Sequence, residues 1–439
     1  MKRQIFAVIR GLILSVMLTC AAGQSAWANM PAGVVFRAWY QTILELVRHT
    51  SDYSPPVASR SFAYLGIIAY EAVASGSDSL VSLQGQLKGF EGVPHREAGQ
   101  AYDDSVVVEA ALAAAAQELF SHTGPTGQRA MKALEAKLFA AASEGLSADV
   151  IARSEEYGKN VAETVLAWSQ SDGGANVENM GFPLTYKLKD GPSHWKPTST
   201  IAVQQAPLLP DWGKNRTFAM PEGAACRLPP PPDYSEDPSS EFYKQAFEVY
   251  DTRNHLTADQ KEIAWFWSDD PMLSPTPPGH WIGITLEFLD AEQADVERSA
   301  EVITRLSIAL ADAFIGCWDT KYEYDLLRPV TYIRKLIDPK WETLIITPPF
   351  PEYPSGHSTQ TGAAAEALTA VFGDNFAFDD TTHERDGLGV RHFTSFHAAA
   401  QEAGISRLYG GIHFRAAIEL GLDQGKCIGA YAAKLSMDK

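Results

Sequence analysis

Cations, histidines and a hydroxyl gather in three short segments of the last third of the chain, "KYEYDLLRP", "YPSGHS" and "SRLYGGIHF". The residues in them that could do chemistry are Lys321, Arg328, Ser355, Gly356, His357, Arg407 and His413. Guanidinium and ammonium groups bind tetrahedral oxyanions, and the N–H groups at a helix N-terminus add further donors. Histidines can move protons or bond covalently to the central atom. Together these residue types indicate a phosphate-like ligand.

Spacing inside the segments suggests how the side chains could meet. Lys321 and Arg328 are two helical turns apart, which predicts that both project from one face of a single helix. Asp325, one turn from Lys321, is the predicted partner of its ammonium group. A Gly-Gly pair between Arg407 and His413 lets both side chains turn toward a common point. Each segment alone has a simpler explanation, as a solvated helix face, a capping turn or a corner between helices.

Other polar residues carry weaker signals. No cluster of carboxylates or thiolates with recognisable metal-ligand spacing competes for a divalent cation, and the acid-rich "FDDTTHERDG" (378–387) is expected to be a solvated loop. His280, in "PPGHW", is expected to line the approach to the oxyanion site or to bond backbone in a turn. Glu402, five residues before Arg407, is a candidate partner for that guanidinium.

Helices must position these residues. Apolar residues recur at three- and four-residue steps in segments such as "FRAWYQTILELVRHT" and "DSVVVEAALAAAAQELFSH", and no strand-type alternation of useful length is evident. Alanine-rich helices broken by Gly or Pro are typical of packed bundles. The sequence therefore predicts an all-α fold.

The composition divides the chain into two helical bundles. An N-terminal helical half covers 29–172 and a C-terminal helical half covers 242–439, which carries the oxyanion site. Between them, 173–241 is rich in Pro and Trp and is expected to be an irregular insert that wraps over the bundles. One continuous domain is also compatible with this length.

The first 28 residues have the pattern of a secretory signal peptide, with basic residues, an apolar run and "SAWA" before the expected cleavage. The pattern predicts export, to the periplasm or the medium. Removing these residues would leave 411 and would change the net charge from −18 to −21. An exported acidic protein is a poor candidate for binding nucleic acid or an anionic membrane, and no later segment is apolar enough to span a bilayer. Any anion site must therefore be a local cationic pocket.

Three cysteines would remain after cleavage, Cys226, Cys317 and Cys427. An odd number cannot pair completely within one chain, so at least one thiol is expected to be free unless it pairs between chains. Which two would pair stays open.

The order K-x6-R-P, P-S-G-H and S-R-x5-H resembles the type 2 phosphatidic acid phosphatase and vanadium haloperoxidase superfamily. The matching residues are Lys321, Arg328, Pro329, Pro354, Ser355, Gly356, His357, Ser406, Arg407 and His413. Within that superfamily, "SFHAAAQEAGISRLYGGIHFRAAIELG", "PPGHW" and Trp318 are most similar to bacterial vanadium-dependent haloperoxidases of the iodoperoxidase branch.

The resemblance implies a vanadate cofactor, with halide and hydrogen peroxide as substrates and hypohalous acid as product; iodide is favoured, and bromide is the other candidate. His413 would bond to vanadium, and His357 would take a proton from hydrogen peroxide. Lys321 would polarise the peroxide for attack by halide. The residues implied to hold the vanadate oxygens are Lys321, Arg328, Ser355, Gly356 and Arg407.

Two alternatives stay open at this stage. The same residues could serve a phosphatase, with His413 forming a phosphohistidine, or a periplasmic protein that binds phosphate without catalysis. Many members of the superfamily have Asp four residues after the last histidine, whereas this chain has Ala417. Another group, such as a backbone carbonyl, is therefore expected to fix the tautomer of His413.

Overall fold

The computed structural model describes residues 30–177, 181–199 and 202–439. The expected signal peptide lies outside the described residues. The helices of the N-terminal half are α1 (Ala32–Arg48), α2 (Pro55–Ala74), α3 (Asp104–Leu119), α4 (Gly124–Ala142) and α5 (Ala148–Ser169), and the single turn α6 (Gly174–Val177) lies at the start of the insert. Those after it are α7 (Glu241–Asn254), α8 (Ala258–Phe266), α9 (Thr276–Ala291), α10 (Val296–Tyr324), α11 (Pro329–Leu336), α12 (Gly356–Phe372), α13 (Phe396–Tyr409) and α14 (Arg415–Ala433).

The prediction of an all-α fold is confirmed. A short antiparallel pair, β1 (Phe378–Asp380) with β2 (Arg391–Phe393), is the exception among the described residues, and it places Asp379 opposite His392. None of the helices in the described part of the chain has both the length and the apolarity needed to cross a membrane.

Helix α10 is the central element of the fold. Its 29 residues follow the N-cap Asp295, whose carboxylate accepts from Arg298 N, and its side chains are buried almost throughout. The helix packs on α2 so closely that a Cβ at Gly66 would lie 3.1 Å from Thr304. One cluster of buried apolar side chains runs from α1 and α2 through α10 to α12 and α14. The two helical halves therefore share a core.

The segment between the halves is folded onto α10 and α14. The buried Asp312 carboxylate accepts from the backbone N–H groups of Phe218, Ala219 and Met220 at 2.7–2.9 Å. A disulfide joins Cys226 to Cys427 across 201 residues. Among the described cysteines, the remaining one is buried and unpaired in α10, as the odd number predicts.

The prediction that Lys321 and Arg328 share one helix is wrong. Helix α10 ends at Tyr324 because Asp325 adopts a left-handed conformation, with φ 53°. Arg328 is extended and precedes Pro329, which disfavours a helical conformation for the residue before it. Asp325 does not pair with Lys321; its carboxylate lies 3.2 Å from His194 Nδ1.

Glycines bring α14 unusually close to α12. A Cβ at Gly425 would lie 2.1 Å from the Thr359 carbonyl oxygen, and one at Gly421 would lie 2.9 Å from Ser358 Cβ. Such distances exclude any side chain. The close contact fixes the first turn of α12, where "SGH" stands.

Replacing Gly425 with alanine should disrupt this contact. We expect Gly425→Ala to lower the free energy of unfolding by about 1–3 kcal/mol or more, because backbone atoms must move to admit the methyl group. Urea unfolding measures the loss. The control, Lys426→Ala, changes an exposed neighbour on the same helix and should stay within about 0.5 kcal/mol of wild type. Equal stability of wild type and Gly425→Ala would contradict the close packing of α12 on α14.

Candidate active site

Lys321 lies in the last turn of α10 and is fully buried. Its ammonium group donates to the carbonyl oxygens of Pro351 and Glu352, each at 3.0 Å, and to that of Pro354. Burial lowers the pKa of Lys321 to about 8, and nearby Arg328 contributes to the shift. The loop before α12 is thus wrapped around a cation that is still protonated at neutral pH.

Arg328 is the residue before α11 and is also fully buried. Its Nε donates to Phe350 O at 2.9 Å, and Nη1 donates to Ile412 O at 3.0 Å. Nη1 also lies 3.1 Å from His413 Nε2, while Nη2 is buried with no partner among the described residues. Burial lowers the pKa of Arg328 to about 10, so the group remains a cation with a spare donor.

The tautomer of His413 is fixed from both sides. Its Nδ1 lies 2.8 Å from Glu352 Oε1. Because a guanidinium group can only donate, the Nε2 that faces Arg328 carries the lone pair, and Nδ1 carries the hydrogen that Glu352 accepts. Burial, with Arg328 and Lys321 adding to it, holds the pKa of His413 well below its usual range. His413 is therefore neutral, with the lone pair of Nε2 directed at the cations.

Glu352 is the functional residue that the sequence analysis missed. It is fully buried, and Oε1 also accepts from Phe414 N at 2.9 Å. Burial raises the pKa of Glu352 to about 7, against the opposing effect of Arg328. As expected, a group other than residue 417 fixes the tautomer of His413, but it is the Glu352 carboxylate and not a backbone carbonyl. The available signal was an acid within the apolar, Pro-rich "FPEYP" directly before the motif.

The first turn of α12 supplies a hydroxyl and backbone donors. Ser355 is the N-cap, and its Oγ accepts from Ser358 N at 3.2 Å. Its own backbone N donates to Ala417 O at 2.9 Å, which ties the turn to α14. A Cβ at Gly356 would meet only Trp318, at an ordinary 3.8 Å. Packing within the protein therefore does not require glycine there, and the space above it is available to a ligand.

His357 is the partly exposed member of the site, with 18% of its side chain accessible. Nε2 has no hydrogen-bond partner among the described residues and lies 3.9 Å from Asp269 Oδ2. Burial and Arg407 lower the pKa of His357 well below its usual range, while Asp269 opposes the shift. At neutral pH the ring is thus a free base.

Arg407, from α13, is the third buried cation. Its Nε donates to Ser406 Oγ at 2.9 Å, and Nη2 donates to Trp267 O. Burial lowers the pKa of Arg407 to about 10. The expectation that Glu402 holds this guanidinium is wrong, because Glu402 accepts from Arg391 at 2.5 and 2.7 Å instead.

Two further expectations failed outside this cluster. His280 does not bond backbone in a turn, because its two ring nitrogens lie 3.0 Å from Asp269 and 2.9 Å from Asp380. The stretch 378–387 is not simply solvated, since Asp380 and His383 are buried. Part of the charge of this acid-rich loop is therefore buried in the protein interior.

The predicted residues converge on one point. Arg328, Lys321, Arg407 and His357 all act electrostatically on His413. One donor that remains available is Arg328 Nη2, which is buried without a partner among the described residues. Ammonium, guanidinium, hydroxyl and N–H groups around a lone-pair nitrogen suit an oxyanion rather than a metal cation. Vanadate and phosphate both fit this donor set.

The role of Glu352 can be tested on stability. We expect Glu352→Ala to lower the free energy of unfolding by about 3–5 kcal/mol, because the N–H groups of His413 and Phe414 lose their acceptor. Glu352→Gln keeps an acceptor oxygen and should lose less than half as much. Urea unfolding in vanadate- and phosphate-free buffer measures both. Equal losses would show that hydrogen bonding by this side chain is unimportant.

The pH profile of the same pair gives a second readout. The pKa of Glu352 rises from 4.5 to about 7 in the fold, so its stabilising contribution is complete below pH 4.5 and is lost as the pH rises through about 7. The stability of wild type relative to Glu352→Gln should therefore fall across that interval. A difference that does not change with pH would contradict the raised pKa.

Comparisons with known proteins agree with this geometry. Residues 301–340 and 336–439 match the family model of the VCPO second helical-bundle domain. A vanadium chloroperoxidase of Curvularia inaequalis is 26% identical over 341 residues, and the match covers 59% of this chain and 56% of that enzyme. The chain thus spans little more than half of that relative.

Solved structures give a fuller match. The crystal structure of the first bacterial vanadium-dependent iodoperoxidase superposes with a TM-score of 0.84 and 39% identity, covering 93% of this chain and 98% of that one. A holo-type bacterial vanadium-dependent chloroperoxidase shares the fold, with a TM-score of 0.67, 16% identity and coverage of 88% and 93%. Identity of 39% over nearly the whole of both chains, together with the shared helical architecture, means that the chain belongs to the vanadium-dependent haloperoxidase family.

Proposed function

We propose that the protein is a vanadate-dependent haloperoxidase that converts halide and hydrogen peroxide to hypohalous acid and water. The observation that carries the proposal is a neutral His413 whose Nε2 lone pair faces buried cations, with Glu352 fixing the tautomer. We further propose iodide as the favoured halide. Its support is the likeness, at 39% identity, to a structure described as an iodoperoxidase.

Vanadate is the cofactor that this family and this donor set imply. His413 Nε2 would bond to the vanadium. The groups that would hold the oxygens belong to Lys321, Arg328, Ser355, Gly356 and Arg407. When bound, vanadate supplies a Lewis-acidic centre that activates hydrogen peroxide without a change in its own oxidation state. The protein contributes donors that are already desolvated and fixed in place.

His357 is placed to handle the proton. Its ring is neutral near pH 7 and has an unpartnered Nε2, so it can accept a proton from hydrogen peroxide at that atom. Asp269, 3.9 Å away, would stabilise the resulting imidazolium. Lys321 is a cation at the same pH and would draw electron density from the peroxide oxygen that halide attacks. Halide, hydrogen peroxide and one solvent proton give hypohalous acid and water, so the imidazolium would return the proton taken from peroxide and solvent would supply the second.

We also propose that the enzyme acts outside the cytoplasm. The leader pattern in the first 28 residues supports this placement. The Cys226–Cys427 disulfide supports it independently, since such bonds persist in oxidising compartments.

Vanadate titration tests the activity. Protein stripped of metal should form triiodide from iodide and hydrogen peroxide only after orthovanadate is added, with saturation near one equivalent and inhibition by phosphate. Bromide, assayed in parallel, tests the halide preference. No activity at any vanadate concentration would contradict the proposal. Hydrolysis of a phosphomonoester by the same preparation, inhibited by vanadate, would then assign a phosphatase.

His357→Ala tests the proton step. We expect iodide oxidation to fall by about 10²–10⁴-fold, the range for a lost general acid–base group. Vanadate affinity, measured by equilibrium dialysis, should change far less, because this ring is not among the groups proposed to hold the oxygens. His397→Ala, a partly exposed histidine 3.7 Å from Glu366, is the control. Unchanged turnover in His357→Ala would remove His357 from the mechanism.

A further inference from the structure

A second cluster of ionisable side chains lies beside the oxyanion site. Asp269 comes from the loop after α8, His280 from α9, and His383 from the turn after β1. All three are buried, and one carboxylate oxygen and one ring nitrogen from each histidine lie within 4.8 Å of one another. The proposed mechanism of halide oxidation leaves the two histidines without a role.

Both histidines have a carboxylate behind them. His280 Nε2 lies 2.9 Å from Asp380 Oδ2, and His383 Nδ1 lies 3.0 Å from Asp386 Oδ2. The carboxylates are held in turn, Asp380 by the backbone N of Thr382 at 3.1 Å and Asp386 by Arg48. Metal-binding histidines are typically oriented in this way, with the outer nitrogen on a carboxylate and the inner nitrogen free for the ion.

The inner nitrogens face a single carboxylate. Asp269 Oδ2 lies 3.0 Å from His280 Nδ1, and Oδ1 lies 3.4 Å from His383 Nε2. Asp269 Oδ1 and His383 Nε2 are both buried without a hydrogen-bond partner among the described residues. Two ligand atoms bound to the same tetrahedral ion at about 2.0–2.2 Å lie about 3.0–3.5 Å from each other, which is the spacing of these oxygen and nitrogen atoms. Hydrogen bonds therefore satisfy His280, whereas Asp269 Oδ1 and His383 Nε2 make an ion-pair contact without a well-aligned hydrogen bond.

The cluster borders a cleft at the surface of the protein. A cleft of about 790 Å³ between α1, α9 and residues 381–385 is lined by both His280 and His383. Glu287 also lines this cleft, which gives its wall a carboxylate that would attract a cation. A binding site needs such a route for the ion.

We propose that Asp269, His280 and His383 form a binding site for a divalent transition-metal ion, with Zn²⁺ as the ion of choice. Two imidazole nitrogens and one carboxylate are ligands that Zn²⁺ accepts, and three protein ligands leave a position for water. The ion would tie the loop after α8 and the segment 378–387 to α9. That loop contains Asp269, next to His357, so the metal would brace one wall of the oxyanion site.

Zinc binding can be measured without vanadate, halide or peroxide. The full-length protein is stripped with a chelator, dialysed and titrated with ZnCl₂ by calorimetry, and its metal content is determined by mass spectrometry. We expect about one equivalent in wild type. Asp269→Asn and His383→Gln should weaken binding by at least tenfold. Asp380→Asn, which removes the carboxylate behind His280, should weaken it by about 10–100-fold.

A matched control comes from the same region. His392 is exposed and pairs with Asp379 across the β1–β2 ladder, so His392→Gln should bind zinc as wild type does. Binding of Co²⁺, followed by its visible absorption, gives a spectroscopic check on the ligands. Circular dichroism shows whether each variant is folded.

Two outcomes would overturn the site. One is the absence of zinc binding by folded wild type, which would leave the cluster as a hydrogen-bonded ion-pair network. The other is full retention of zinc by a folded His383→Gln. Both are independent of the halide assay, so failure of the haloperoxidase activity and failure of the metal site are separate results.

Discussion

Three buried cations with little opposing charge are the constraint around which this structure is arranged. Moving an ion from water into a protein interior costs several kcal/mol even after relaxation. The fold offsets part of that cost for Lys321, Arg328 and Arg407 with backbone carbonyl groups from the loop before α12, from the turn before α14 and from Trp267. The remaining positive charge is what a tetrahedral oxyanion can neutralise. An anion bound here would therefore also neutralise the buried charge of these three cations.

The same constraint explains the role of small residues and of Glu352. Carbonyl groups can surround a cation only if their loop is held firmly, and the glycines of α14 hold the start of α12 by direct backbone contact. Glu352 supplies the nearby carboxyl group, but it faces His413 Nδ1 rather than the ligand. Because burial raises its pKa to about 7, Glu352 offsets only part of the charge of the cations near neutral pH, and the side of the site that receives an anion stays positive.

The residue types of the site could be predicted because the chemistry demands them. The local backbone geometry of these residues was harder to predict. Lys321 and Arg328 do not share a helix because Asp325 is left-handed and Arg328 is extended before Pro329. The proline indicated this in the sequence, since proline disfavours a helical conformation for the residue before it. Glu352 was missed because one acid in an irregular loop has no periodicity that reports burial. The Cys226–Cys427 pairing joins positions 201 residues apart, which spacing cannot reveal.

The acid-rich stretch 378–387 shows why charge counts mislead. Its composition is that of a solvated loop, yet Asp380 is buried because His280 offers a donor to it. The resulting cluster places Asp269 between the two histidines behind it and His357 in front of it. Although burial acts against it, His280 and His383 hold the pKa of Asp269 far below its usual range.

A carboxylate that stays ionised at this position acts on the oxyanion site. Burial and Arg407 both disfavour a protonated His357, whereas the Asp269 carboxylate and a hydrogen bond to the Trp267 backbone oppose them. Without that carboxylate, the imidazolium needed after proton transfer would stand among cations with no negative charge beside it. The cluster of Asp269, His280 and His383 therefore contacts the cationic oxyanion site where Asp269 lies 3.9 Å from His357. The ability of His357 to hold a proton depends on both.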